Sequence, residues 1–240
     1  IGMEVGTIAS ISIFLLTGIG LLLIGLFCLR FGLKQILSNK IKHFLKQVTV
    51  TPWRGFMVGI VAAAVMQSST AVSLITIGLV GADYLTFYQS LGVILGANIG
   101  TCTTVQLMTL SISNDFLLSL LLLCIAVMLI SKKLRYPAMA LAGLVSMFVG
   151  LNVLSSAVNT NSHIDSILQN LFTPEHHHSP IYGISGGVLL TLLFQSSSAA
   201  TGVLIVLAEK GLIDMTAAAY IVYGNNIGSC ISSLILGAAS

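Results

Sequence analysis

Two short polar segments, Gln67-Ser68-Ser69-Thr70 and Gln195-Ser196-Ser197-Ser198, carry the residue types best suited to chemistry in this chain. Each is followed, after an apolar run, by a second polar segment: Gly96-Ala97-Asn98-Ile99-Gly100-Thr101 and Gly224-Asn225-Asn226-Ile227-Gly228-Ser229. The copies are 128 residues apart for both segments, 67 to 195 and 96 to 224. Hydroxyls that cap a helix N-terminus sit beside free N–H groups and a partial positive charge, which together receive an anion. Carbonyl, carboxamide and hydroxyl oxygens are hard ligands suited to a small cation. Nucleophilic catalysis fits poorly, since there is no G-x-S-x-G elbow and no His in any apolar run to act as base. No catalytic residue is therefore assigned, and the chain is not expected to be an enzyme. A single Ser-Ser-Thr in an apolar helix often just bonds the preceding turn. Two copies in register, each with a second matched segment, point instead to a duplicated site.

The elements that position these segments must be membrane-embedded. The 240 residues are 56% hydrophobic and 7% charged, with mean hydropathy +1.02, whereas a soluble domain carries about 25% charged residues. Apolar runs near 20 residues without alternation exclude barrel strands, which are about 10 residues with period 2. The expected fold is an all-α integral membrane protein. The first run lacks a basic leader and continues through Arg30, so it reads as a retained span. Cys28, Cys102, Cys124 and Cys230 lie in apolar runs without metal-ligand spacing and read as packing residues.

In chain order, 10–31 is a first span with Gly18 and Gly25 on one face, and 33–51 is a basic amphipathic helix for the interface. Residues 53–82 are apolar around Gln67-Ser68-Ser69-Thr70 and read as a re-entrant hairpin. Residues 86–110 are a span interrupted at Gly96, Asn98 and Gly100, and 116–131 is a plain span. The second half mirrors this order: Gly143 and Gly150 in 138–157, a hairpin at 181–210 and an interrupted span at 216–238. The repeats are 1–136 and 137–240. A counterpart of 116–131 would begin near 243, so either the sequence stops short of it or the second repeat lacks its last helix. Between the halves, His176-His177-His178 reads as a solvated loop rather than a metal site.

Basic residues fix the expected topology. Nine of the ten Lys and Arg fall in 30–54 and 132–135. If 53–82 enters and leaves on one side, both clusters reach the cytoplasm, as the positive-inside rule favours. Clustering of this kind does not suggest a nucleic-acid partner. Each repeat then has three crossings, an odd number, so the second is inserted upside down and the hairpin tips meet near the midplane. Inverted repeats with interrupted midplane helices are a transporter signature. The seven acids lie at predicted ends or loops, and no His, Lys or Arg is expected mid-span, so a buried proton relay is not supported. A neutral, hydroxyl-rich site suits an anion accompanied by cations.

At these four segments the chain resembles the sodium/phosphate cotransporter family, and the resemblance covers essentially its whole length. Thr70 departs from the family's third serine by keeping the hydroxyl and adding a methyl. The resemblance implies sodium-coupled symport of inorganic phosphate by alternating access, in a multi-pass plasma-membrane protein with no cofactor. Its partners would be phosphate, sodium, the lipid bilayer and a second copy of the chain. Carried over, phosphate binding falls to Gln67, Ser68, Ser69, Thr70, Gln195, Ser196, Ser197 and Ser198, with Thr101 and Ser229 beside them. Sodium falls to Gln67, Ser68, Asn98, Thr101, Gln195, Ser196, Asn226 and Ser229. The further expectation is that Gln195-Ser196-Ser197 and Asn98 serve mainly sodium. The alternatives are a carrier of another oxyanion or small carboxylate, and an uncoupled channel or scaffold subunit.

Overall fold

The computed structural model describes residues 2–159 and 180–238. Among these, all regular structure is α-helical: α1 (Gly2–Val48), α2 (Pro52–Met66), α3 (Ser69–Gly81), α4 (Phe87–Gly100), α5 (Cys102–Met108), α6 (Asn114–Ile130), α7 (Arg135–Asn159), α8 (Pro180–Phe194), α9 (Ser197–Glu209) and α10 (Met215–Ala238). Ser12–Val48, Phe87–Met108 and Arg135–Val158 are long and apolar enough to cross a membrane. Phe14, Phe27, Leu122, Leu129 and Leu189 are exposed apolar side chains on these and neighbouring helices, as a lipid-facing surface requires. The His176-His177-His178 run lies outside the described residues.

α1 corrects the expected division into a span at 10–31 and an interface helix at 33–51. It is one helix of 47 residues, roughly 70 Å at 1.5 Å per residue. No proline interrupts it, and Gly32 is not a hinge. A Cβ there would meet Tyr136 O at 2.7 Å and Ala140 N at 2.8 Å, so Gly32 is the place where α7 lies against α1.

The glycines at 18, 25, 143 and 150 make the central contact. A Cβ on Gly25 would sit 2.7 Å from Gly143 O, and one on Gly18 would sit 3.1 Å from Gly150 O. Lower numbers on α1 meet higher numbers on α7, so the two helices run antiparallel. Small residues let the backbones approach this closely, and apolar helices gain little else from pairing in lipid. Leu22, Leu26, Met147 and Leu151 fill the rest of that seam.

A second kind of pairing occurs twice. Gly92, Gly96 and Gly100 of α4 lie against the carbonyls of Pro52, Phe56 and Ile60 of α2. Numbers rise together, so α2 and α4 are parallel. In the second half Gly224 lies against Ile184 O, and Gly228 against Thr191 and Val188, with α8 and α10 likewise parallel. Gly59 meets Val93 and Gly187 meets Ile221, the same spacing in both halves.

This packing places the interruption of the first span at Thr101, where α4 gives way to α5, and corrects the expected interruption of the second, which is absent. α4 is helical through Gly96 and Asn98 to Gly100, and the chain departs from helix only at Thr101, whose φ of −68° and ψ of −16° keep it near helical geometry. α10 is continuous through Gly224 and Gly228. The glycines there allow another helix to approach; they do not unwind their own.

Local sequence accounts for the helix starts. Thr51 accepts from Arg54 N ahead of Pro52, the residue type whose missing N–H costs least at a first helical position. Thr86 and Gln89 form a reciprocal capping box. The Gln89 side chain also donates to Thr49 O at 3.0 Å and Val50 O at 2.9 Å, fastening the start of α4 to the corner between α1 and α2. At this end Trp53, Tyr84, Phe87 and Tyr88 are exposed, and Lys46 Nζ stands 3.1 Å above the Tyr84 ring centre. Aromatics and a lysine grouped at one level mark a membrane–water interface.

Candidate functional site

Both Gln-Ser-Ser segments fold as the same tight turn between two short helices. Gln67 and Gln195 have φ of 55° and 50°, the left-handed region that ends a helix. Each side chain turns back on the finished helix, Gln67 Nε2 donating to Ala64 O and Gln195 Nε2 to Leu192 O. Carbonyls that lose their partners at a helix end are thereby satisfied. The next residue caps the returning helix: Ser68 Oγ accepts from Ala71 N at 3.2 Å, and Ser196 Oγ from Ala199 N at 3.2 Å. Gln, then Ser, is thus the residue order that closes one helix and opens another within two positions.

The two turns share a small cavity of about 20 Å³, enough for one water-sized body. Ser68, Ser69 and Thr70 line it from one half, and Gln195, Ser196, Ser197 and Ser198 from the other. Thr101, Thr191, Ser229, Ser232 and Arg30 complete the wall. Nine of the ten residues expected to bind phosphate therefore lie in one place, Gln67 being the exception, with α3 and α9 both opening their N-termini onto it.

Gln67 contributes structure instead. Its Nε2 donates to Thr103 Oγ1 at 3.2 Å, and Thr104 Oγ1 donates to its Oε1 at 2.7 Å. Gln195 has no such lock, remains exposed and lines the cavity. The residue in the second half that matches Thr104 is Ser232, whose buried Oγ has no hydrogen-bond partner. Identical words in sequence are therefore used differently. We expect Gln67→Ala to cost about 1–3 kcal/mol, because it strands the fully buried Thr104 hydroxyl. Gln195→Ala should cost under about 1 kcal/mol. Thermal unfolding of the two purified variants checks this; equal destabilisation would contradict the asymmetry.

Asn98 and Asn226 do not line the cavity. Asn98 is half-buried, with its carbonyl accepting from Thr101 Oγ1 at 2.8 Å, and Asn226 is exposed. Its neighbour Asn225 is the buried one, accepting from Thr191 Oγ1 at 3.2 Å and donating to Thr201 Oγ1 at 3.1 Å. The oxygens gathered around the cavity that suit a cation are those of Ser68, Thr101, Gln195, Ser196 and Ser229. Ser229 Oγ lies 3.4 Å from Ser197 Oγ, linking α10 to the tip of α9.

Arg30 is the residue that sequence reasoning misplaced. Grouping it with the cytoplasmic basic cluster presupposed that the first span ended at 31. Because α1 continues to Val48, Arg30 lies within the helix, among membrane-suited sequence. Its Nε donates to Gln67 O at 3.1 Å, and its Nη2 to Ser198 Oγ at 3.0 Å. A charged residue next to the end of the apolar run 10–31, with no proline until Pro52 to stop the helix, was the available signal. Beside Arg30 a wider vestibule of about 470 Å³ reaches the same tips, lined by Leu26, Phe27, Lys34, Phe194 and Gln195 among others.

An apolar chain whose described residues are helical and close a polar cavity between two helix-hairpin tips has the make-up of a membrane transport protein. The family described as Na+/Pi-cotransporter matches residues 21–156 and 161–239, and the chain belongs to that family. It is 32% identical over 218 residues to the uncharacterized protein YqeW of Bacillus subtilis, covering 89% of this chain and 69% of YqeW. It is 24% identical over 230 residues to YjbB of Escherichia coli K12, a protein named for inorganic phosphate export, covering 94% of this chain and 41% of YjbB. A shorter stretch of 108 residues is 32% identical to sodium-dependent phosphate transport protein 2A of Rattus norvegicus, covering 44% of this chain and 16% of that protein. The chain thus spans less than half the length of the phosphate proteins it matches. No solved structure matches it.

Proposed function

We propose that this chain carries inorganic phosphate across the plasma membrane in symport with sodium, by alternating access at the paired serine-rich tips. The observation that carries this reading is the convergence of Ser69, Thr70, Ser197 and Ser198, with the N-termini of α3 and α9, on one cavity. Two positive helix ends and a ring of hydroxyl donors suit an oxyanion, and the family match favours phosphate among oxyanions. Sodium is assigned to the oxygens of Ser68, Thr101, Gln195, Ser196 and Ser229, close enough to the anion to offset its charge.

The packing supports an inverted-repeat arrangement with re-entrant hairpins. Gly18 and Gly25 are matched in the second half by Gly143 and Gly150, and each pairs with the mate of the other. That exchange is what a two-fold axis between antiparallel halves produces. α2 and α3 have 15 and 13 residues, about 20 Å each, too short for a hydrocarbon core of about 30 Å. A hairpin that returns to its side of entry also explains why α4 runs parallel to α2. The names of relatives point both to export and to sodium-dependent transport; in a symporter the gradients set the direction.

Purified protein in proteoliposomes tests the reading. Labelled phosphate should cross when an inward sodium gradient is imposed and stop when choline replaces sodium. Arsenate should compete, as the same tetrahedral shape, and small carboxylates should not. No phosphate flux would refute the carrier reading, and sodium-independent flux would refute the coupling.

A further inference from the structure

The geometry points to Arg30 as the resident counter-charge of the transported anion, a direct ligand that bridges the two tips until an oxyanion takes its guanidinium. This rests on the reading of the tips as an oxyanion site. Among the described residues the polar partners of Arg30 are Gln67 O and Ser198 Oγ, one from each half and both neutral. A guanidinium inside an apolar protein is costly unless a negative charge answers it. Among the described residues no carboxylate does so; their acids lie at helix ends and in connecting segments. The negative group that completes this site is therefore the cargo itself.

Ligand chemistry agrees with position. A guanidinium has five N–H donors in a planar fork, and two are engaged. The fork matches two oxygens of a phosphate, giving paired charge-assisted bonds about twice as strong as neutral ones. Arg30 walls both the small cavity and the wider vestibule, so an anion arriving through the vestibule meets the guanidinium at the tips. Exchange of a hydroxyl and a carbonyl for an oxyanion also releases the link between the halves. With one positive charge supplied by the protein, the anion keeps part of its affinity when sodium is absent.

Titration of inorganic phosphate into purified wild type, Arg30→Lys and Arg30→Gln tests the assignment, in sodium and in choline. Arg30→Lys should weaken binding about tenfold, keeping charge but losing the fork. Arg30→Gln should weaken it ~100-fold or more and abolish binding in choline. Binding by Arg30→Gln within about threefold of wild type overturns the assignment. A second measurement uses the native guanidinium, so it does not depend on those variants folding. In an Arg54→Lys, Arg135→Lys background, phenylglyoxal can modify only Arg30, and mass spectrometry follows the rate. Phosphate should slow it about tenfold relative to chloride at equal ionic strength, and an unchanged rate overturns the proposal. If wild type binds no phosphate at all, the oxyanion reading and the Arg30 assignment fall together. If wild type binds and Arg30→Gln binds equally, only Arg30 falls.

Discussion

Paired Gly25→Leu and Gly143→Leu substitutions should leave no monodisperse protein in detergent. A Cβ on Gly25 would lie 2.5 Å from Met147 N and 2.7 Å from Gly143 O, and one on Gly143 would lie 2.5 Å from Gly25 O. All three neighbours are backbone atoms in helices, so relief requires α1 and α7 to separate. Overpacking at one such position costs about 1–3 kcal/mol or more. Two positions on the central seam would remove much of a net stability that is only about 5–15 kcal/mol. Leucine at Gly20 makes the comparison, because a Cβ there meets nothing within 4 Å. Size-exclusion profiles should show Gly20→Leu behaving as wild type while the pair aggregates. A well-behaved pair would mean that α1 and α7 do not form this seam.

A Ser69→Ala, Ser197→Ala variant should fold and lose phosphate transport. These serines open α3 and α9 just after the caps, so the hydrogen bonds that Ala71 N and Ala199 N donate to Ser68 and Ser196 are untouched. Each removed hydroxyl would forfeit a bond to a charged group, about 1.5–3 kcal/mol. Together that is about 100-fold or more in affinity. Unchanged thermal unfolding with abolished flux is the expected result. Full flux would show that the tips do not bind the cargo.

Much of this arrangement is legible in the sequence, because it depends on local rules and on a repeat. Gln67-Ser68 and Gln195-Ser196 mark where one helix ends and another begins, and their common offset brings matching halves together. The glycine pairs on α1 and α7 are legible as packing residues for the same reason. The rest depends on neighbours. Gly96 and Gly224 look like helix breakers until the carbonyls of Phe56 and Ile184 are set against them. Asn226 is the register mate of Asn98, yet Asn225 is the one turned inward, a difference of one residue and about 100° around the helix. Arg30 depends on where α1 ends, and nothing in the run after it forces a stop. The unequal roles of Gln67 and Gln195 come from Thr103, which bonds Gln67, standing where the second half has Ile231.

The central claim is that two half-sites make one site. Equilibrium binding of labelled phosphate to purified protein, with each half disabled in turn, tests it most directly. One composite site predicts one phosphate per chain in the wild type. It also predicts near-complete loss in both Ser69→Ala, Thr70→Ala and Ser197→Ala, Ser198→Ala. Two phosphates per chain, or half the capacity kept at wild-type affinity in either variant, would contradict it.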